Sequence, residues 1–291
     1  MTGVAWVDGA LVPRAEARVS IDDFAVRYGA ACFETMLARN GRVFRLGAHL
    51  DRIEGGLRAM RVAPPLCADL ERAVVETLAA NGLSEASVRL TVTAGHGHVP
   101  DLRAASAPLV IVTVDALPPR PASPRLLVVA TRIDARRALA AAKSAQFLPY
   151  LLARVEAREA GFDDAVLLNH DGAVVEAATA NLFIVRNDGI ETPRIEDGPL
   201  PGVTRAALIE VARGLGVTVA ERRIDLGDLA LAEAVLLTSS VAGVVVAASL
   251  LVREDGPHGH LDWHTREPVP PLVGSMIEAY GTLVRVETDI V

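Results

Sequence analysis

Of the 29 lysine and arginine residues in this chain, one alone is lysine, Lys143. The distinction is chemical. A guanidinium stays protonated, whereas an amine can lose its proton and attack a carbonyl to form a Schiff base. Lys143 follows the small-residue run 138–142 and precedes a strongly apolar stretch, a setting that favours the neutral, nucleophilic amine. Three further groups could serve the same chemistry. Glu176 lies among apolar neighbours in 174–183, where a buried carboxylate demands a cation or hydrogen-bond donors. Leu200-Pro201-Gly202-Val203-Thr204-Arg205 leads into an apolar-periodic helix, so free N–H groups and a hydroxyl converge as they do at anion sites. Thr238-Ser239-Ser240 ends an apolar strand and offers more hydroxyls, and Arg52 is placed to fork onto phosphate oxygens.

The elements that must position these groups alternate between two periods. Asp8-Gly9 and Asn40-Gly41 punctuate strand pairs at 5–12 and 32–44. Apolar residues at Leu46, Leu50, Ile53 and Leu57 give a helix over 46–60, and a second helix over 67–81 stops at Gly82. Strands follow at 87–93 and 108–114. Four prolines in Leu117–Pro124 mark a linker. Beyond it come a strand at 126–131, a helix at 148–160 and strands at 165–169, 174–177 and 182–185. A helix at 203–215, a strand at 217–222, a short helix at 226–232, and strands at 234–238 and 243–248 come next. The polar stretch 253–267 reads as a surface insertion, and a C-terminal helix from 268 completes the chain. The elements mix without a steady β-α-β repeat, which points to α+β. We expect two domains, a small N-terminal one over 1–116 and a larger one over 125–291 that carries Lys143, joined by the linker 117–124.

Composition narrows the class. With 51% hydrophobic residues the chain can bury a sizeable core, and its net charge of −7 is interspersed, which speaks against nucleic-acid binding. No apolar run reaches membrane-spanning length, and the N-terminus lacks a basic region followed by an apolar one, so a cytoplasmic protein is expected. Cys32 and Cys67 stand apart, and His258, His260 and His264 fit no zinc spacing, so no metal is expected.

Six blocks in order, YGAACFET (28–35), HLDR (49–52), KSAQFLPYLLARVEA (143–157), VVEAATANLF (174–183), LPGVTR (200–205) and LLTSS (236–240), resemble the class IV aminotransferases of fold type IV. These pyridoxal-phosphate enzymes include branched-chain and D-amino-acid aminotransferases and aminodeoxychorismate lyases. The resemblance implies a small α/β sandwich domain, a larger β-barrel-like domain with helices, and a homodimer. It implies that Lys143 carries pyridoxal phosphate as a Schiff base and moves the substrate proton. Glu176 would pair with the ring nitrogen, and Arg52, Val203, Thr204, Ser239 and Ser240 would clamp the phosphate. Leu200 would pack on the ring, with Asn181 in support.

Substrate recognition departs from the subfamilies. The loop Thr93–Pro100 lacks the arginine of an Arg-x-His carboxylate trap, leaving His96 and His98 as candidates beside Arg27, Phe33 and Arg89. The tyrosine that branched-chain enzymes carry five residues after the lysine is Leu148, preceded by Phe147. Phe33-Glu34-Thr35 replaces their Phe-Glu-Gly. The missing loop arginine departs from the D-amino-acid enzymes. The missing tyrosine and the Phe-Glu-Thr block depart from the branched-chain ones and tilt the expectation slightly toward a D-amino-acid or broad-specificity transaminase acting on an amino acid or primary amine and a 2-oxo acid. Aminodeoxychorismate lyase and branched-chain L-amino-acid aminotransferase remain as alternatives on the same fold, and a non-catalytic relative as a third class.

Overall fold

The computed structural model describes residues 3–120, 122–253 and 260–289. The chain divides into two compact units: residues 1–119, 142–146 and 284–291 form the first, and 120–141 with 147–283 the second.

The first unit is built on a six-stranded sheet in the order β2-β1-β6-β5-β3-β4. Its strands are β1 (Val4–Val7), β2 (Ala10–Pro13), β3 (Ala31–Arg39), β4 (Arg42–Val43), β5 (Glu85–Thr93) and β6 (Val110–Ala116). Its helices are α1 (Phe24–Tyr28), α2 (Leu46–Ala59) and α3 (Cys67–Asn81). Asn40 and Gly41 both take positive φ, 50° and 74°, the geometry of a two-residue hairpin, and so set the β3–β4 register. Leu57 on α2, Leu70 and Val74 on α3, and Met36, Val88 and Leu90 on the sheet are all fully buried. Their i, i+4 and i, i+2 spacings are what place them on common faces.

One feature of this unit departs from the sequence expectation. Lys143, placed there on the larger domain, lies in the short return 142–146 within the first unit. The reason is an open strand edge. β4 pairs with β3 only at Ala38 and Arg39, so the Ala31–Phe33 end has unpaired backbone on that side. The return supplies the partners: Phe33 N donates to Lys143 O at 2.9 Å, and Ala145 N to Ala31 O at 2.8 Å.

The second unit holds two five-stranded sheets, β12-β11-β10-β13-β14 and β16-β15-β7-β8-β9. Their strands are β7 (Arg125–Ile133), β8 (Asp164–Asn169), β9 (Val174–Ala177), β10 (Asn181–Arg186), β11 (Gly189–Pro193), β12 (Thr218–Arg222), β13 (Ala234–Ser239), β14 (Gly243–Val246), β15 (Ser249–Val252) and β16 (Leu261–His264). The helices are α4 (Leu148–Glu159), α5 (Val203–Gly214), α6 (Leu226–Ala230) and α7 (Pro271–Thr288), of which α7 from 284 onward is counted with the first unit. Parallel pairs β7–β8 and β11–β12 each require a crossover, which α4 and α5 provide. β7 is buried on both faces: Leu126 and Val128 join Val166, Leu182, Val235 and Trp263, while Leu127 and Val129 pack with Ala153 and Ala157 of α4. The mixture is α+β, as expected. β11 was not read from the sequence, and the stretch 253–267, read as a surface insertion, contains β16, which pairs with β15.

Candidate active site

In the first unit, Lys143 meets Phe33. Its Nζ lies 4.7 Å from the Phe33 ring centroid, and the Arg89 guanidinium carbon lies 3.9 Å from the same centroid. Arg89 reaches that ring because β3 and β5 pair Phe33 with Thr91 and Thr35 with Arg89, which puts Arg89 on the diagonal. Desolvation holds the Arg89 guanidinium below its ordinary pKa, and among the described residues no carboxylate forms an ion pair with it.

Arg52 projects from α2 into a buried cluster. Its Nε donates to Glu34 Oε1 at 2.7 Å and its Nη2 to Oε2, while His49 Nδ1 lies 2.7 Å from the same Oε2. Glu34 and His49 are almost wholly inaccessible. Burial works to raise the Glu34 carboxyl, but hydrogen bonds from His49 and Arg52 outweigh it and hold the group below the usual carboxylate range. Burial pushes His49 down, against the pull of Glu34, so the imidazole is kept neutral. One turn along α2, Gly56 lets the return close in: a Cβ there would sit 2.9 Å from Cys32 Sγ and 3.3 Å from Ala142 Cβ.

In the second unit, Glu176 on β9 is nearly buried and accepts on both oxygens. Tyr150 Oη donates to Oε1 at 3.1 Å; Asn181 Nδ2 and Leu200 N donate to Oε2 at 3.0 and 3.1 Å. Asn181 opens β10 and also donates to Leu200 O at 2.8 Å, which ties the segment before α5 to the strand. Only glycine fits at 202: a Cβ would lie 1.9 Å from Asn181 Oδ1. Gly202 is the N-cap of α5, and no side chain caps the first turn. Val203 and Thr204 therefore begin the helix with unsatisfied backbone donors.

Two buried hydroxyls sharpen the picture. Thr204 Oγ1 and Thr238 Oγ1 are inaccessible and have no hydrogen-bond partner among the described residues. Thr238 lies opposite Asn181 in the β10–β13 register. A buried hydroxyl without a partner is costly unless a ligand satisfies it. Ser239, at the end of β13, accepts weakly from Ala242 N, and Ser240 sits in the turn that follows, both half-buried. Unsatisfied donors at a helix start, an orphaned hydroxyl and a firmly held carboxylate fit the phosphate and the protonated ring nitrogen of pyridoxal phosphate.

The remaining sequence candidates gather elsewhere in the first unit. Arg27, on α1, donates to Gly97 O at 3.0 Å, and His96 Nδ1 lies 3.0 Å from Ser106 Oγ. His96 and His98 are exposed. His258 lies outside the described residues, and His264 Nε2 is 3.2 Å from Asp262 Oδ1 on its own strand. Glu34, Tyr150 and Arg137 were not singled out by sequence reasoning. Glu34 stood inside a quoted block without a role, and its pairing with Arg52 depends on the α2–β3 packing.

Residues 31–250 match the family model described as Amino-transferase class IV. A putative branched-chain-amino-acid aminotransferase of Methanocaldococcus jannaschii is 33% identical over 245 residues, which cover 82% of this chain and 85% of that protein. The crystal structure of a branched-chain aminotransferase from Thermoproteus uzoniensis with norvaline superposes with a TM-score of 0.88 at 27% identity, covering 99% of this chain and 97% of the other. A T.th. branched-chain amino acid aminotransferase complexed with N-(5'-phosphopyridoxyl)-L-glutamate gives 0.87 at 26% identity, covering 98% and 95%. The chain belongs to the class IV aminotransferases, enzymes that work with pyridoxal phosphate.

Proposed function

We propose that this protein moves an amino group between an amino acid and a 2-oxo acid, with Lys143 as the Schiff-base residue. The observation that carries this reading is the sole lysine held by its own carbonyl on the β3 edge, with its amine at the Phe33 ring. When bound, pyridoxal phosphate supplies a ring that accepts the electron pair released as the substrate Cα loses its proton. Lys143 Nζ then takes and returns that proton. Glu176, supported by Asn181 and the Leu200 amide, holds the proton on the ring nitrogen. The Val203 and Thr204 amides, the Thr204 hydroxyl, Ser239, Ser240 and Arg52 receive the phosphate, and Leu200 covers the ring.

Arg89 is the cation best suited to a substrate carboxylate, because it stands at the same ring as the Lys143 amine and lacks a carboxylate partner among the described residues. Arg27 and His96 are engaged with their own loop. The relatives are named branched-chain aminotransferases, so branched-chain aliphatic amino acids come first among donors, ahead of the D-amino acids suggested by Leu148 and the Phe33-Glu34-Thr35 block. A homodimer is supported by α4, whose Leu148, Leu151, Leu152 and Val155 recur at helical spacing and are 63%, 50%, 55% and 49% exposed.

Borohydride reduction with cofactor, followed by peptide mapping, should place a pyridoxyl group on Lys143. A panel of D- and L-leucine, alanine and glutamate should convert the bound cofactor to its amine form with at least one donor. No adduct on Lys143 would overturn the reading. Release of pyruvate from aminodeoxychorismate without amine-form conversion would favour the lyase.

A further inference from the structure

Tyr150 belongs to none of the six blocks' assigned roles, yet its hydroxyl is the donor to Glu176 Oε1. Arg137 Nη2 donates to that hydroxyl at 3.1 Å. A guanidinium can only donate, so the phenol oxygen accepts from Arg137 and its own proton must point to Glu176. The polarity of the chain Arg137–Tyr150–Glu176 is thereby fixed. Arg137 is itself anchored, donating to Asp134 O at 2.9 Å and Ala140 O at 3.4 Å. The Tyr150 ring is held flat by Phe147, with centroids 4.9 Å apart and planes inclined by 7°. Tyr150 also packs against the apolar cluster that includes Ala153 and Ala157 of α4. Burial and the nearby Glu176 charge push the phenol pKa up, so it remains a proton donor across the ordinary pH range.

The partners on the other oxygen, Asn181 Nδ2 and Leu200 N, are donors too. These three groups reach the carboxylate from α4, β10 and the approach to α5, which fixes its plane as well as its role. We propose that Tyr150, oriented by Arg137, is a positioning residue that holds Glu176 as a proton acceptor facing the ring nitrogen of the cofactor. The inference rests on the role given to Glu176 above and extends it outward to two further residues of this chain.

The test uses the full-length apoprotein and two ligands, pyridoxal phosphate and its 1-deaza analogue, in which a C–H replaces the ring nitrogen. Dissociation constants are read from the change in ligand absorbance, without turnover. Wild type should prefer pyridoxal phosphate. Tyr150→Phe keeps the ring and its stack, and should reduce that preference by about five-fold while leaving analogue binding within about two-fold. Arg137→Gln should reduce the preference by a smaller factor, and serves if the tyrosine variant fails to fold. Equal weakening of both ligands, or no change in their ratio, would overturn the proposal. Wild type that binds both ligands equally would instead overturn the Glu176 role on which it rests.

Discussion

Phe33 holds Lys143 at both ends: its amide donates to the Lys143 carbonyl at 2.9 Å, and its ring lies 4.7 Å from the Lys143 amine. Backbone and side chain of the reactive residue are thus set by one neighbour on β3. Lys143→Arg should keep a long basic side chain at the ring and still abolish Schiff-base formation, lowering transamination by at least about 1,000-fold. Phe33→Leu preserves apolar bulk but removes the ring. The surface that positions the amine would be lost, so cofactor loading should slow by roughly two- to twenty-fold, read from the imine absorbance. Unchanged loading in Phe33→Leu would show that the ring does not position the amine.

Arg89 shares that ring, 3.9 Å from the centroid. Arg89→Gln should raise KM for an amino or oxo acid by about ten-fold or more, with a smaller change in kcat, because a charge-assisted contact to the substrate carboxylate is lost. A primary amine lacking a carboxylate should be unaffected. Equal losses for both substrates would move the carboxylate site away from Arg89.

Thr204 allows effects on folding and on binding to be separated. Its hydroxyl is buried without a partner among the described residues, so Thr204→Val replaces an unsatisfied polar group by a methyl of similar volume. The apoprotein should be unchanged or more stable by ~1 kcal/mol, while cofactor affinity falls by about ten-fold. Thermal melts with and without pyridoxal phosphate read both quantities. A destabilised apoprotein with unchanged affinity would remove Thr204 from the phosphate site.

Much of this was legible in the chain. Lys143 stood out as the single lysine and Glu176 as a carboxylate among apolar neighbours, whereas Thr204 and Arg52 are ordinary in their local patterns and gained their roles from the ordered blocks around them. Strongly periodic elements such as α3 were bounded to the residue. Long-range pairing was less legible. The return that carries Lys143 obeys no periodicity; it follows an open edge on β3 that exists only once β4 proves to be two residues long. Glu34 reads as one more strand residue until α2 brings His49 and Arg52 to it. Tyr150 sits on an exposed apolar helix, where nothing local distinguishes a ring that packs from a hydroxyl that donates.

The α4 surface gives a test of assembly. Leu151 and Leu152 are half exposed on a helix whose other face, at Ala153 and Ala157, is fully buried. Leu152→Glu would place a charge in any interface formed there, at a cost of several kcal/mol if it is desolvated. Light scattering should then show a dimeric wild type and a variant shifted toward monomer at micromolar concentration. A dimer that persists in Leu151→Glu and Leu152→Glu alike would place the interface elsewhere.

The Glu34–His49–Arg52 cluster makes stability depend on pH in a predictable direction. His49 is held below the ordinary histidine value of 6.5, first by burial and then by Arg52 and Lys143 nearby. In the window between 6.5 and its lower folded value, the unfolded chain binds the proton and the folded chain does not. Stability from this group is therefore fully present above 6.5 and is lost as pH falls through that window. Glu34, also lowered, adds its own loss further down, beginning below 4.5, when the carboxylate that Arg52 needs is protonated. His49→Asn keeps an N–H in the place of Nδ1 and cannot titrate. It should be less stable than wild type at pH 7.5, where the packing of the imidazole is lost. Its melting temperature should then fall less steeply than that of wild type between pH 7 and pH 5, so the two curves converge. Parallel curves would show that His49 takes up its proton without opposing the fold, and that the neutral imidazole is not what Glu34 and Arg52 require.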